Sequence, residues 1–396
     1  MLLVVVLVAA GVAACTTIRR VMAPTTSTGT DGPPSTTTTS TTPAPALPGS
    51  FRVGLTTFHW VDPSRNTVNP ATGADTIPGR VLTTQVRYPT ASGSLTRENR
   101  NAAPDRQYGP YPVIVFAHGF DVSPWYYAPL LDSWVREGFI VISPIFPDES
   151  TALVTSVGGP QSPQGYHAEL DLANEPADIA FVLRKFDAVA ASGSGNRLSG
   201  VAATSDVGLA GQSDGAEAVA ALAYGTNAAD RSALAAMPVA PRAVEVLSGE
   251  ALQGSYPATN ASSPPVLQVQ SAADTCNAPA EAASLFASLE NAPVHLFETL
   301  QGASPLQPYT GLIPGPNPYA PVVDKVTTDF FRLELGWNPG GLSLGAVEAA
   351  GAVSHVSAVT ATPPGFPNSP STSKPDCTGF PVSGPTTTTT SVPAGQ

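Results

Sequence analysis

The eleven residues Gly208 to Ala218, GLAGQSDGAEA, constrain the fold more than any other stretch of the chain. An apolar run, Val207 to Ala210, ends just before a helical pattern that starts near Ala216, so a strand passes into a helix through a few residues. Gly211 and Gly215 have no Cβ, which lets the backbone turn tightly and the helix approach the strand. Ser213 sits between them, in a strained turn at a helix N-terminus where backbone N–H groups favour negative charge. A bare G-x-S-x-G string arises often by chance, and a glycine-rich turn with a serine capping the helix is its ordinary reading. The strand before it and the helix after it are what make Ser213 a candidate nucleophile.

The surrounding pattern agrees. Short β-branched or apolar runs recur at Pro112 to Phe116, Ile140 to Phe146, Val207 to Ala210, Ala243 to Leu247, Pro265 to Gln270 and Val294 to Leu300. Between and after them, Tyr127 to Glu137, Glu175 to Phe186, Ala216 to Ala223, Ala278 to Leu289 and Val322 to Leu335 carry apolar residues at three- and four-residue spacing. Such alternation predicts an α/β fold with a mostly parallel central sheet and helices on both faces. Phe51 to Val61 and Val81 to Tyr88, separated by turn residues and no helix, read as an antiparallel edge. Residues 51–359 therefore form one domain.

The two ends have another composition. Residues 1–14, MLLVVVLVAAGVAA, are too short to span a bilayer comfortably and suit an export signal. They lead into Val12-Ala13-Ala14-Cys15, which resembles the lipobox of bacterial lipoproteins and implies lipidation of Cys15; a plain signal or a short uncleaved anchor is the alternative. Residues 15–50 and 360–396 are rich in Thr, Ser and Pro and bury too little apolar surface to order themselves, so they read as a tether and a tail. The expected location is extracytoplasmic, lipid-anchored to the outer face of the cell membrane or secreted. With Cys15 lipidated, Cys276 and Cys377 remain as a disulfide pair or as two buried thiols. Eighteen basic against thirty acidic residues give a net charge of -12, which opposes nucleic acid and anionic lipid surfaces.

Two further segments complete the chemistry. The strand PVIVF runs into Ala117-His118-Gly119-Phe120, at the sheet edge where an oxyanion hole assembles, and the backbone N–H groups of Phe120 and Asp214 are its expected donors. His118 there reads as a loop-ordering side chain. After the strand in PPVLQVQSAAD, Asp274 is the candidate acid, with Glu250 as the weaker alternative and a solvated loop carboxylate as the plain reading of both.

With VRYP at 86, YPVIVFAHGF at 111, NEPADIAFVL at 174, GQSDG at 211, SAADT at 271 and VTTDFF at 326, the chain resembles the α/β-hydrolase superfamily over about Phe51 to Leu335. Within it the resemblance is to actinobacterial exported esterases related to platelet-activating-factor acetylhydrolases, chlorophyllases and dienelactone hydrolases. That resemblance implies hydrolysis of carboxylic esters through an acyl-enzyme on Ser213, with no metal and no organic cofactor.

One part of the pattern is absent. The resemblance places the catalytic histidine in a G-A-x-H phrase after the last strand, and here Gly302-Ala303-Ser304 is followed by Pro305. Of the five histidines, His295 starts its strand and so lies about 17 Å from the catalytic edge. His59 belongs to the N-terminal edge, and His167 lies in a long insertion after Phe146 as a loop histidine. His355, in GAVSHVSAV, is the candidate relocated base, drawn in if Cys377 pairs with Cys276. Three accounts stay open: an esterase of lipase type with an unusual or relocated base, a pseudoenzyme that binds an ester or lipid without turnover, and a structural surface lipoprotein, which predicts nothing at Ser213. Phe120, Trp125, Tyr126 and Tyr127 are candidates for the wall of an acyl pocket, which favours a small-molecule or lipid ester with an apolar acyl group as partner to a monomer.

Overall fold

The computed structural model describes residues 49–337, 340–360 and 362–366. Cys15, Cys377, the apolar leader and most of the two Thr/Pro-rich ends lie outside the described residues. The strands are β1 (Arg52–Asp62), β2 (Thr67–Asn69), β3 (Ala74–Ile77), β4 (Arg80–Thr90), β5 (Asn99–Arg100), β6 (Tyr111–Ala117), β7 (Ile140–Ile145), β8 (Ala202–Gln212), β9 (Ala243–Leu247), β10 (Val266–Ser271), β11 (His295–Leu300) and β12 (Ser357–Thr360). The α-helices are α1 (Ala128–Arg136), α2 (Thr151–Ser156), α3 (Pro163–Glu169), α4 (Glu175–Ala190), α5 (Asp214–Tyr224), α6 (Ala228–Ala235), α7 (Pro279–Ser288), α8 (Ala320–Glu334) and α9 (Leu344–Gly351).

Ten strands form one sheet in the order β12-β11-β10-β9-β8-β6-β7-β4-β1-β5, and β2 pairs with β3. From β7 through β6, β8, β9 and β10 to β11 the pairing is parallel; β4 and β12 are antiparallel to their neighbours β7 and β11. All seven residues of β6 are buried, as a strand covered on both faces requires. Its side chains alternate between two cores: Val113 and Val115 pack with α4 and α5 residues such as Ile179 and Val219, whereas Ile114 and Phe116 pack with Leu131, Trp134 and Phe331 of α1 and α8. Each such side chain, truncated to alanine, costs about 2–5 kcal/mol.

Register sets the site. Ala117 pairs with Gly211, Gln212 with Leu247, Leu247 with Val269, and Ser271 with Leu300. The turns after β6, β8, β9, β10 and β11 therefore emerge along one edge, where α/β sheets bind ligands. The insertion between β7 and α4 holds two short helices that begin on side-chain caps: Ser150 Oγ accepts from Leu153 N at 3.3 Å and Ser162 Oγ from Gly165 N at 2.9 Å. Arg80 of β4 anchors this insertion through Asp171 at 2.6 and 2.7 Å and through Asp178 of α4, all three buried. Among the described residues no helix is long and apolar enough to cross a membrane.

Candidate active site

Ser213 lies at φ 55° and ψ −124°, a conformation that L-residues adopt only under constraint. The glycines supply that constraint by closeness. A Cβ on Gly211 would stand 2.1 Å from Gly215 O, and one on Gly215 would stand 2.2 Å from Ala117 O. Ser213 N donates to Leu247 O at 3.0 Å, while Ser213 O accepts from Ala216 N and Glu217 N as α5 begins. The turn is thus locked to β9 on one side and to its own helix on the other.

On one flank of Ser213 the loop after β6 approaches so closely that a Cβ on Gly119 would stand 2.9 Å from Ser213 Cβ. Gly119 N donates to Tyr127 Oη at 3.2 Å, Tyr127 Oη donates to Gln212 Oε1 at 2.6 Å, and Gln212 Nε2 donates to Pro305 O at 3.3 Å. The N–H of Phe120 makes no hydrogen bond among the described residues. His118 is fully buried, and Phe146 N donates to its Nε2 at 3.0 Å, which leaves the proton on Nδ1 to donate to Gly119 O at 2.9 Å. Burial holds it neutral, pushing its pKa down to about 4 against the Gly119 carbonyl and Asp214. His118 fixes the loop as expected.

The other flank is made of side chains. Asp274 Oδ1 accepts from Cys276 N at 2.8 Å and Asn277 N at 2.9 Å. Burial pushes the Asp274 carboxyl up to about 7, opposed by those two N–H groups and by the Ser248 hydroxyl nearby. Glu250, in the loop after β9, adds to the upward push. Ala273 N donates to Ala303 O at 3.0 Å, so the loop that carries Pro305 lies against the loop that carries Asp274. The position expected for histidine thus lies in a loop that bonds to residues adjoining Asp274 and Ser213, and proline fills it.

The Ser213 hydroxyl meets Asn277 on this flank. Asn277 Nδ2 donates to Ser213 Oγ at 3.1 Å and to Ser248 O at 2.6 Å. An amide takes no proton from a serine. Asn277 went unnoticed in the sequence because an asparagine before a helix reads as loop chemistry.

The histidines stand elsewhere. His59 is exposed on β1, with Nδ1 at 3.1 Å from Thr83 Oγ1. His167 on α3 bonds Pro70 O at 2.9 Å, and the His295 ring stacks on Phe286 at 4.1 Å. His355 is exposed, at φ 65°, just before β12 on the same sheet edge. Four strand spacings separate β12 from β8, about 19 Å. The structure does not bring His355 to Ser213, and the relocated-base expectation is corrected on that ground. Cys276 is disulfide-bonded, and the other two cysteines lie outside the described residues. Of the aromatics, Tyr127 is core, whereas Trp125 is 43% exposed and tilts onto Tyr126. Among the described residues no group of acidic, histidine or cysteine side chains is placed to hold a metal.

Beneath the turn lies a cluster that sequence reasoning missed. Glu149 and Glu175 are fully buried, their carboxyls meet, and Asp214 is within Coulombic range of both. Burial first, with Asp214 adding to it, pushes both glutamates well above the usual carboxylate range, while their mutual contact raises Glu149 and lowers Glu175. The acids lie in FPDES, NEPAD and GQSDG, far apart in the chain; charged residues beside apolar runs were their only signal.

A family model described as Chlorophyllase matches residues 80–158, the segment from β4 through the Gly119 loop to α2. Among solved structures the chain is similar to the ferulic acid esterase from Streptomyces cinnamoneus, at 18% identity and a TM-score of 0.50, over 76% of this chain and 97% of that one. At that identity the likeness is one of fold. No curated protein matches the chain. By its mostly parallel sheet and its strained serine turn the chain has the α/β fold of that esterase structure, and residues 80–158 resemble chlorophyllases.

Proposed function

We propose that this protein hydrolyses carboxylic esters, with Ser213 as the nucleophile of an acyl-enzyme. The observation that carries the reading is the strained Ser213 turn packed against Gly119, with no hydrogen-bond partner for the Phe120 N–H among the described residues. An ester carbonyl placed over Ser213 Oγ would direct its oxygen toward the N–H groups of Phe120 and Asp214. Each such donor is worth about 3–4 kcal/mol at the transition state. Trp125 and Tyr126, whose rings pack on each other in the segment after Phe120, are the candidates for an acyl-pocket wall and favour an apolar acyl group. The same reading takes the protein as a monomer that works without metal or organic cofactor, outside the cytoplasm, anchored through lipid on Cys15 or released. Mass spectrometry of the mature N-terminus tests the anchor.

A second reading, a binder of esters or lipids without turnover, is favoured by one observation: the imidazole position holds Pro305 and Ser213 Oγ faces Asn277. Turnover of a short-chain p-nitrophenyl ester that disappears in Ser213→Ala, together with labelling of Ser213 by a fluorophosphonate, supports hydrolysis. Wild-type protein that neither turns over nor labels supports the binder.

A further inference from the structure

The Ser213 hydroxyl has a fixed sense. Asn277 Nδ2 is held by Ser248 O and donates to Ser213 Oγ, so the amide oxygen stays turned away. Oγ accepts on that side and directs its own proton to the Asp214 carboxylate, with Oγ to Oδ1 at 3.4 Å. Catalytic contacts are often this long before substrate binds. Asp214 is 1% exposed. The groups facing it include neutral His118, the Tyr127 hydroxyl and the Glu149 and Glu175 carboxyls, with Asp171 and Asp178 beyond them paired with Arg80 and, for Asp178, with Arg65 as well.

We propose that the Asp214 side chain is the general base of Ser213, a carboxylate acting where an imidazole is absent. The proposal rests on the hydrolase reading. In the first half-reaction the Ser213 O–H proton passes to Asp214 Oδ1, Oγ bonds the carbonyl carbon, and the carbonyl π pair moves onto its oxygen. Collapse breaks the ester C–O bond, and the leaving alkoxide takes the proton from Asp214. In the second half a water gives its proton to Asp214 as it adds to the acyl carbon. The acyl–Oγ bond then breaks and Ser213 recovers the proton, so ester and water become acid and alcohol. One negative charge moves from the carboxylate to the oxyanion and back. Because Asp214 is neutral while the oxyanion exists, the charge beside the oxyanion hole is removed at the moment it would do harm. Burial pushes the Glu149 and Glu175 carboxyls up, toward their neutral forms, which limits the negative charge buried beside Asp214.

The test compares wild type, Ser213→Ala, Asp214→Asn and Asp214→Glu on p-nitrophenyl acetate from about pH 5 to about pH 9, with circular dichroism to confirm folding. Asp214→Asn is expected to lower kcat by about 100-fold or more with KM nearly unchanged, and Asp214→Glu to recover part of it. Removing a negative charge beside the oxyanion would by electrostatics alone raise the rate, so a loss reports the base. The wild-type profile is expected to show no inflection near the imidazole value of about 6.5. Wild-type kcat in Asp214→Asn, or an inflection near about 6.5 in wild type, overturns the assignment while leaving the hydrolase intact. Ser213→Ala at the wild-type rate, or wild type no faster than buffer, overturns the hydrolase reading and this one with it.

Discussion

The flank of Ser213 that faces the Gly119 loop is built from backbone and from glycines that a Cβ would force apart, whereas the flank that faces Asp274 is built from side chains. The difference governs how each can be lost. A donor N–H survives almost any substitution that keeps the chain path, but a base disappears with one codon. On the proposed reading the first flank supplies the Phe120 and Asp214 N–H donors, and the second holds Asp274 with Pro305 at the position expected for an imidazole. The chlorophyllase match spans the first flank and stops short of the second.

Restoring the missing side chain is the strongest way to break this contrast. Pro305 adjoins both the acid loop and Gln212 of the turn, so Pro305→His is expected to place an imidazole between Asp274 and Ser213. A positioned general base contributes about 10²- to 10⁴-fold. With Asp214 already serving as base, turnover of a p-nitrophenyl ester should rise by less than that full factor and acquire an inflection near about pH 6.5. An unchanged rate would mean that the second flank has lost more than one residue. The first flank is probed by Gly119→Ala, whose Cβ would press on Ser213 Cβ at 2.9 Å. Displacing one oxyanion donor costs about 10²- to 10³-fold in kcat, and a smaller loss would show that the loop has slack.

That backbone-built flank was also the legible one. Gly211, Gly215 and the run into Gly119 announce themselves because close approach admits glycine alone, and β6 and β8 because buried parallel strands are continuously apolar. The predicted strands fall within a residue or two of those found, except that β8 begins at Ala202, five residues early, since Ala202 and Ala203 pair with Tyr111 and Pro112 before a register shift that takes in the polar run Thr204 to Asp206. β12 was missed because four residues of Ser, Ala, Val and Thr carry no pattern, and α2, α3 and α6 because they are short and polar. Asp274 was legible from its place after a strand. Its partner Asn277 and the acids Glu149 and Glu175 were not, because their meaning depends on which loops the sheet brings together.

The second flank also rests on a more charged part of the sheet. Glu245 of β9 and Glu298 of β11 are buried. Burial pushes both up from the ordinary 4.5, Glu298 to about 8 against a Ser357 hydrogen bond. A folded-state value above the unfolded one means that the folded state binds more protons between them. Stability is therefore full below about 4.5 and declines as pH rises toward about 8, on the order of a few kcal/mol for Glu298 alone. Melting temperature should fall across that window, and Glu298→Gln should flatten the decline. A melting temperature that rises with pH would show that this part of the sheet holds its carboxylates ionised.

The finest test of the contrast lies in Asn277. Removing its amide in Asn277→Ala leaves the backbone N–H on Asp274 Oδ1 but takes donors from Ser213 Oγ and from Ser248 O. The buried carbonyl left without a donor should cost about 1–2 kcal/mol of stability, and kcat should change less than about ten-fold, because the amide orients the hydroxyl and does not take its proton. The informative measurement is the double variant. In Pro305→His the new imidazole must accept the Ser213 O–H proton from the side where Asn277 now donates to Oγ, so Asn277→Ala should slow the parent and speed the Pro305→His variant. Groups that share a partner show such coupling, on the order of 0.5–3 kcal/mol, whereas independent sites add. Additive rates would place the restored imidazole and Asn277 on different sides of the serine, and the second flank would then hold room for both an amide and a base.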